Sequence, residues 1–173
     1  MDLQTEIYSF IEKQLSVWKL VRDNYDNLSQ IQTRTFLLPK TEIILQYNPT
    51  RIASTGAKID AESIAKRKCF LCLENQPDEE LAIVFGNYVI QVNPYPIFPN
   101  HLVIAHREHI FQDINEHFLE YLLFAKQLPK FAIFFNGINC GASAPDHRSH
   151  RSPDSRKGSS NRCPAARSSG LKP

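Results

Sequence analysis

The chain has 173 residues, 42% of them hydrophobic, with 20 Lys plus Arg against 18 Asp plus Glu, six His and four Cys. Folding at this length removes roughly 70% of the unfolded surface from water, so a core forms without a disulfide framework; collagen-like, fibrous and disulfide-scaffold classes are excluded. No run of about 18 apolar residues and no basic-then-apolar leader is present, which gives the expectation of a cytoplasmic protein without a membrane span.

From Leu3 to Leu28, apolar residues at Ile7, Phe10, Ile11, Leu15, Trp18 and Val21 predict one amphipathic helix. Ile31 to Leu38 and Thr41 to Tyr47 predict a hairpin turning at Pro39-Lys40. Asp60 is placed to cap a short helix that runs toward Cys69. Leu81 to Phe85 and Tyr88 to Val92 form a second predicted hairpin at Gly86-Asn87. Pro94, Pro96 and Pro99 remove three backbone donors, so the stretch from Asn93 to Pro99 is a rigid loop. A strand over His101 to Ala105, a helix over Asp113 to Leu128 and an apolar strand over Phe131 to Phe135 complete the order. Few helices stand between successive strands. This order predicts an α+β fold with a mainly antiparallel sheet and flanking helices.

The net charge of +2 is unevenly placed. Five Arg and two Lys against one Asp give residues 147–173 a charge of +6 and leave residues 1–146 at −4. The last 27 residues hold seven Ser and no aromatic, too little apolar surface to offset ordering entropy. The expected organisation is therefore one domain over 1–146 and a disordered basic tail over 147–173. Such a tail has the composition of a nucleic-acid arm. The abrupt switch after Asp146-His147 favours an adventitious, out-of-frame tail instead, and nucleic acid is not the expected partner.

Cys69-Phe70-Leu71-Cys72 is the first chemical signal: a two-residue gap lets both sulfurs turn to one side of a tight loop and supply half of a tetrahedral zinc site. Two unpartnered thiols, or a redox pair, are the other readings of that spacing alone. The missing ligands would be imidazoles, for which His101, His106, His109, His117 and His147 are available. A second signal is the small-residue run from Asn136 to His147, where backbone N–H groups and Ser143 can approach a phosphate. Cys140 reads as a small buried residue, and Cys163 in the tail has no assigned role.

These residues resemble a known superfamily. Asn93-Pro94 with Pro96, His101 to Ile104, Arg107 to Ile110, Asn136-Gly137, Gly141 to Ser143 and His147 are similar in order and spacing to histidine-triad proteins. The likeness extends to the branch of galactose-1-phosphate uridylyltransferases, ATP adenylyltransferases and GDP-galactose phosphorylases. Within it, the strings Asn48 to Ile52, Arg67 to Cys72 and Cys140 to His147 resemble an uncharacterised bacterial group. The resemblance implies a nucleotidyltransferase or phosphorylase acting on a nucleotide sugar or dinucleoside polyphosphate through a nucleotidyl-histidine. It further implies structural zinc on Cys69, Cys72, His109 and His147. Ribose contacts would fall at Gln91 and Asn93, and phosphate contacts along Asn136, Gly141, Ala142 and Ser143. Superfamily relatives often pair, which implies a homodimer.

The signature His-x-His-x-Gln departs here to His147-Arg148-Ser149-His150-Arg151. Ser149 stands at the nucleophile position, and His150 points to the other sheet face if this segment is a strand. The expectation is a chain truncated or frameshifted after His147, inactive as a transferase, with an apolar sheet edge exposed beside Phe131 to Phe135. The alternative from another class is a non-catalytic zinc-binding interaction module whose basic tail touches nucleic acid.

Overall fold

The computed structural model describes residues 3–49, 58–138, 140 and 142–154. Thr50 to Ile52, Gly141 and the tail from residue 155 therefore lie outside the described residues. Helix α1 (Leu3–Val17) buries Gln4, Ile7, Phe10, Ile11 and Gln14, the three-to-four spacing of one helix face. The single helix expected to Leu28 is instead divided at Trp18, whose backbone is extended, and α2 (Lys19–Asp26) follows. The break leaves Val21 fully buried in the core while Trp18 only packs against its margin.

The first hairpin, β1 (Gln32–Leu38) with β2 (Thr41–Tyr47), pairs in the expected register, Leu38 opposite Thr41. Helix α3 (Ala61–Lys66) is capped as expected, Asp60 Oδ1 accepting the Ser63 N–H at 2.9 Å. Four antiparallel strands then make the central sheet in the order β3 (Ala82–Phe85), β4 (Tyr88–Val92), β5 (Leu102–His106), β6 (Ser149–Ser152). The β3–β4 turn uses Gly86 at φ 59°, a left-handed conformation that glycine adopts without a Cβ penalty.

Side chains alternate across this sheet. Tyr88, Ile90, Val92, Leu102 and Ile104 face α1 and α4 (Phe118–Gln127), where they bury against Ile7, Ile11, Phe124 and Leu128. Val103 and Ala105 face the other way and pack with Cys69, Leu71, Cys72 and Ala144. Covering both faces explains why β4 and β5 are buried along their whole length. The result is an α+β fold with mainly antiparallel sheet and flanking helices. Among the described residues, no helix is long and apolar enough to cross a membrane.

Three expectations are corrected. The helix expected from Asp113 begins at Phe118, because Asp113 Oδ1 accepts the Asn115 N–H at 3.0 Å and diverts the first turn. The expected strand over Phe131 to Phe135 is reduced to isolated bridges, Phe131 with Asp154 and Phe134 with Arg151. Pro153 between those partners has no N–H to continue the ladder. The boundary expected at 146/147 falls inside the sheet, since Ser149–Ser152 pairs with β5, Ala105 opposite Ser149 and Leu102 opposite Ser152. At the edge expected to be exposed beside Phe131 to Phe135, Phe131 is buried and bridges to Asp154.

β6 is chemically mismatched to its surroundings. His150 is fully buried among the rings of Tyr88, Tyr121, Phe124 and Phe135, at centroid distances of 5.5 to 6.1 Å. Neither of its ring nitrogens has a hydrogen-bond partner among the described residues, nor do Arg148 Nη1 and Ser152 Oγ. Burial, with the nearby Arg148 cation, pushes the His150 imidazole down to about 4 from 6.5. A histidine depressed in the folded state contributes its share of stability above pH 6.5 and loses it as pH falls toward 4. His150→Phe is expected to stabilise the chain at pH 7 by about 1–2 kcal/mol, since it removes two unsatisfied polar atoms from an aromatic site. Thermal denaturation at stepped pH should show Tm raised by roughly 3–6 °C at pH 7, with a larger gain at pH 5.

A candidate metal centre beside a polar cleft

The cysteine loop is locally rigid. Arg67 ends α3 in an extended conformation, the Cys72 N–H donates to Cys69 O at 3.3 Å, and Asn75 Nδ2 donates to the same carbonyl at 3.0 Å. This turn sets both sulfurs against Val103 and Ala105 of β5. His109 follows the end of β5, and His147 stands two residues before β6. Antiparallel pairing of those strands brings the two imidazoles to the same end of the sheet, their ring centroids 5.0 Å apart.

The four side chains converge. Cys69 Sγ lies 3.3 Å from His147 Nδ1, and Cys72 Sγ lies 3.3 Å from His109 Nδ1 and 3.5 Å from His147 Nδ1. All four ligating atoms fall within 4.8 Å of one another. A tetrahedral ion with metal–sulfur bonds of about 2.3 Å and metal–nitrogen bonds of about 2.0 Å needs sulfur–nitrogen edges of about 3.5 Å, which these distances match. The outer nitrogens are also engaged: His147 Nε2 donates to His106 O at 2.8 Å, leaving Nδ1 as the lone-pair nitrogen, and His109 Nε2 lies 3.4 Å from Asp146 Oδ2. Burial and the adjacent Cys69 sulfur raise the Cys72 thiol above its ordinary value. Cys69, Cys72 and His147 are buried and His109 is exposed, so the cluster opens toward solvent on the His109 side. This Cys2His2 set can hold a metal ion, and its four protein donors leave no position for a substrate.

A cleft of about 610 Å³ adjoins the cluster on the same sheet face. Of the expected substrate contacts, Gln91, Asn93, Asn136, Ala142 and Ser143 line it, and Gly141 lies outside the described residues. Trp18, Phe70, Tyr95 and Ile97 supply an apolar wall. His101 also borders the space; its Nδ1 accepts the Ile97 N–H at 3.2 Å. Ser149 is not in the cleft lining. It is buried, and Gln112 clamps its backbone, Oε1 accepting the Ser149 N–H at 2.6 Å and Nε2 donating to its carbonyl at 2.9 Å. His150 faces the aromatic core, as alternation along a strand requires. Cys140, expected to be buried, is exposed.

Three cleft residues carry no role in the sequence reading. Arg67 Nη2 donates to Ser143 O at 2.8 Å and reaches Asp146 Oδ1 at 3.4 Å, with its guanidinium over the Phe70 ring. It thus ties the cysteine loop to the segment that carries His147. Arg151 Nη2 lies 3.4 Å from Ser143 Oγ. Glu80, partly buried, accepts from Gln91 Nε2 at 3.2 Å, and burial pushes its carboxyl up to about 7. Arg67 opens the string Arg67 to Cys72, and Arg151 stands at the signature's glutamine position. Glu80 gave no signal, because Asp78-Glu79-Glu80 reads as an ordinary solvated acidic loop.

The family model described as "Domain of unknown function (DUF4922)" matches residues 10–152, which hold the whole cluster and end at the last residue of β6. The chain belongs to this DUF4922 family. No curated protein matches it. Among solved structures it is similar to the crystal structure of yeast Ap4A phosphorylase Apa2, at 15% identity and a TM-score of 0.38. That match covers 79% of the DUF4922 chain and 46% of the yeast chain, so the present chain spans about half the length of that relative.

Asp146 contacts both His109 and Arg67. Asp146→Asn is therefore expected to weaken metal retention about 10- to 100-fold in a chelator competition, while His147→Ala abolishes it.

Proposed function

We propose that the chain is a histidine-triad-like, nucleotide-binding protein with structural zinc on Cys69, Cys72, His109 and His147, descended from a nucleotidyltransferase or phosphorylase and lacking its group-transfer step. The observation that carries this reading is the joining of cluster and cleft on one sheet face. Residues 142–147 run from the cleft lining to a cluster ligand, and Arg67 bonds to that segment from the cysteine side. The metal would fix the distance between the cysteine loop and that segment, and so hold the cleft open in one shape. Two thiolates and two imidazoles are donors that zinc favours, and reduced thiols suit a cytoplasmic location.

The cleft has the polarity of a phosphorylated ligand's site. Arg67, Arg151 and Ser143 gather donors for phosphate oxygens at one end, and the Trp18, Phe70 and Tyr95 wall suits a planar base or sugar face. A nucleotide or nucleotide sugar combines these features. In the transfer the resemblance implies, an imidazole nitrogen attacks the α-phosphorus and expels the leaving phosphate, and an incoming phosphate then displaces the imidazole. Ser149 has only a hydroxyl, whose proton needs a base, and it is shielded from the cleft. His150, the adjacent imidazole, is on the opposite face. The unsatisfied atoms of Arg148, His150 and Ser152 support reading the residues after His147 as foreign to this sheet.

The purified chain should contain one equivalent of zinc by elemental analysis, none in Cys69→Ala, and Tm should rise by several degrees with a millimolar nucleoside monophosphate or nucleotide sugar. Absence of zinc together with absence of any nucleotide shift would sink the reading. Intact-mass measurement after incubation with a nucleotide sugar should show no covalent nucleotidyl adduct on this chain. The double variant Ser149→His, Arg151→Gln, which restores the signature, is expected to gain one.

A further inference from the structure

The four residues of β6, Ser149-His150-Arg151-Ser152, include no apolar side chain. Sheet register aligns His150 with Ile104 and Ile90, and Ser152 with Leu102 and Val92, so two polar residues end rows that are otherwise aliphatic. Both are fully buried on the helix-covered face. His150 sits among the rings of Tyr88, Tyr121, Phe124 and Phe135, and neither its nitrogens nor Ser152 Oγ meets a partner among the described residues. The backbone of this strand suits its place, and its inward side chains do not.

The groove that holds β6 offers a full set of contacts to an extended chain. On one side stands the β5 ladder from Leu102 to Ala105. On the other, Phe134 exchanges hydrogen bonds of 2.8 and 2.9 Å with the Arg151 backbone, and the Ala132 N–H donates to Pro153 O at 2.9 Å. Gln112 clamps the Ser149 backbone at the start, and Asp154 at the end accepts from Tyr8 Oη at 2.9 Å and Asn100 Nδ2 at 3.2 Å. Most of these contacts read main chain and are indifferent to sequence; only the apolar floor discriminates. Arg148 is pinned separately, its N–H on Ile110 O at 2.8 Å and its carbonyl on the His106 N–H at 2.9 Å. Residues from Ser149 onward can therefore leave the sheet without carrying His147 away from the cysteines.

We propose that the groove between β5 and residues 131–135 is a docking site for an extended segment of another polypeptide, which carries apolar side chains at the two positions held by His150 and Ser152 and displaces β6. The incoming segment adds as the fourth strand, antiparallel to β5. Its advantage lies in the floor, where apolar contacts take the place of unsatisfied polar atoms. Its handicap is competition from β6, which is tethered in the same chain at an effective concentration of millimolar order. The β6 of a second copy brings the same polar pair and gains nothing by exchange, so the occupant differs in sequence from this strand.

The test measures binding of fluorescein-labelled hexapeptides to the full chain by fluorescence anisotropy. One peptide repeats residues 149–154 with His150→Phe and Ser152→Val, and a second repeats them unchanged. A third, Phe-Ser-Val-Arg-Pro-Asp, has the composition of the first with neighbours exchanged, which turns its apolar pair to the opposite face. The first should bind about tenfold or more tightly than either control. His150→Phe in the chain gives β6 the side chain its place calls for and is expected to fold more stably, so it should weaken binding of the first peptide at least fivefold. Equal binding of the first and third peptides would trace uptake to exposed apolar side chains elsewhere, such as Leu37 and Leu119, and overturns the proposal. Binding that His150→Phe leaves unchanged overturns it as well, as does no binding of the first peptide at millimolar concentration.

Discussion

Two sulfurs and two imidazole nitrogens meeting at one point on the sheet are the constraint around which the rest of the structure is arranged. They come from three segments separated by 37 and 38 residues, counted from Cys72 to His109 and from His109 to His147. Closing loops of that length costs chain entropy that grows only slowly with their size. A metal ion held there would offset it with bonds made only in the folded state. The sheet prepares the meeting, because antiparallel β5 and β6 deliver His109 and His147 to the same end, and Val103 and Ala105 offer small side chains on which the cysteine loop can lie close. Asp146 and the His106 carbonyl then orient the rings.

The cleft inherits its shape from that centre. Arg67 begins the cysteine loop yet bonds to Ser143 and Asp146, so any shift of the loop moves a cleft wall and the segment carrying His147 together. Polar groups in the cleft fall into two sets. Guanidinium and hydroxyl donors stand on the side of β6, and the Glu80–Gln91 acceptors stand on the side of β3 and β4. Between them run Val103 and the loop walls, so a ligand bridging the two sets crosses the central strand.

β6 illustrates how far backbone pairing can carry residues that do not suit their places. Its ladder with β5 is complete over four residues, and the sheet is buried on both faces there. Yet His150 stands inside an aromatic ring of neighbours with no partner for its nitrogens among the described residues, and Arg148 and Ser152 also hold atoms unsatisfied there. Main-chain hydrogen bonds do not depend on side-chain identity, whereas core polar groups need partners; the strand forms and bears the cost in stability. The sheet therefore continues through Ser152, past the change in composition at His147.

Local chemistry in the sequence determined much of what is seen: both hairpins, the Asp60 cap, the proline-rich loop and the α+β order follow from periodicity, turn residues and missing donors, all of which act within a few residues. The cysteine spacing and the small-residue run also marked the two stretches that meet at the cluster. Spacing alone left five histidines open and only the family resemblance pointed to His109 and His147; in the tertiary structure strand pairing brings those two to the cysteines, while His101 and His106 are buried elsewhere. Only the tertiary structure decided that Phe131 to Phe135 stays outside the ladder, that α1 breaks at Trp18, and that Glu80 leaves an acidic loop to meet Gln91. Those outcomes depend on register and on which side chains compete for one buried space, quantities that exist only once distant segments have been packed together.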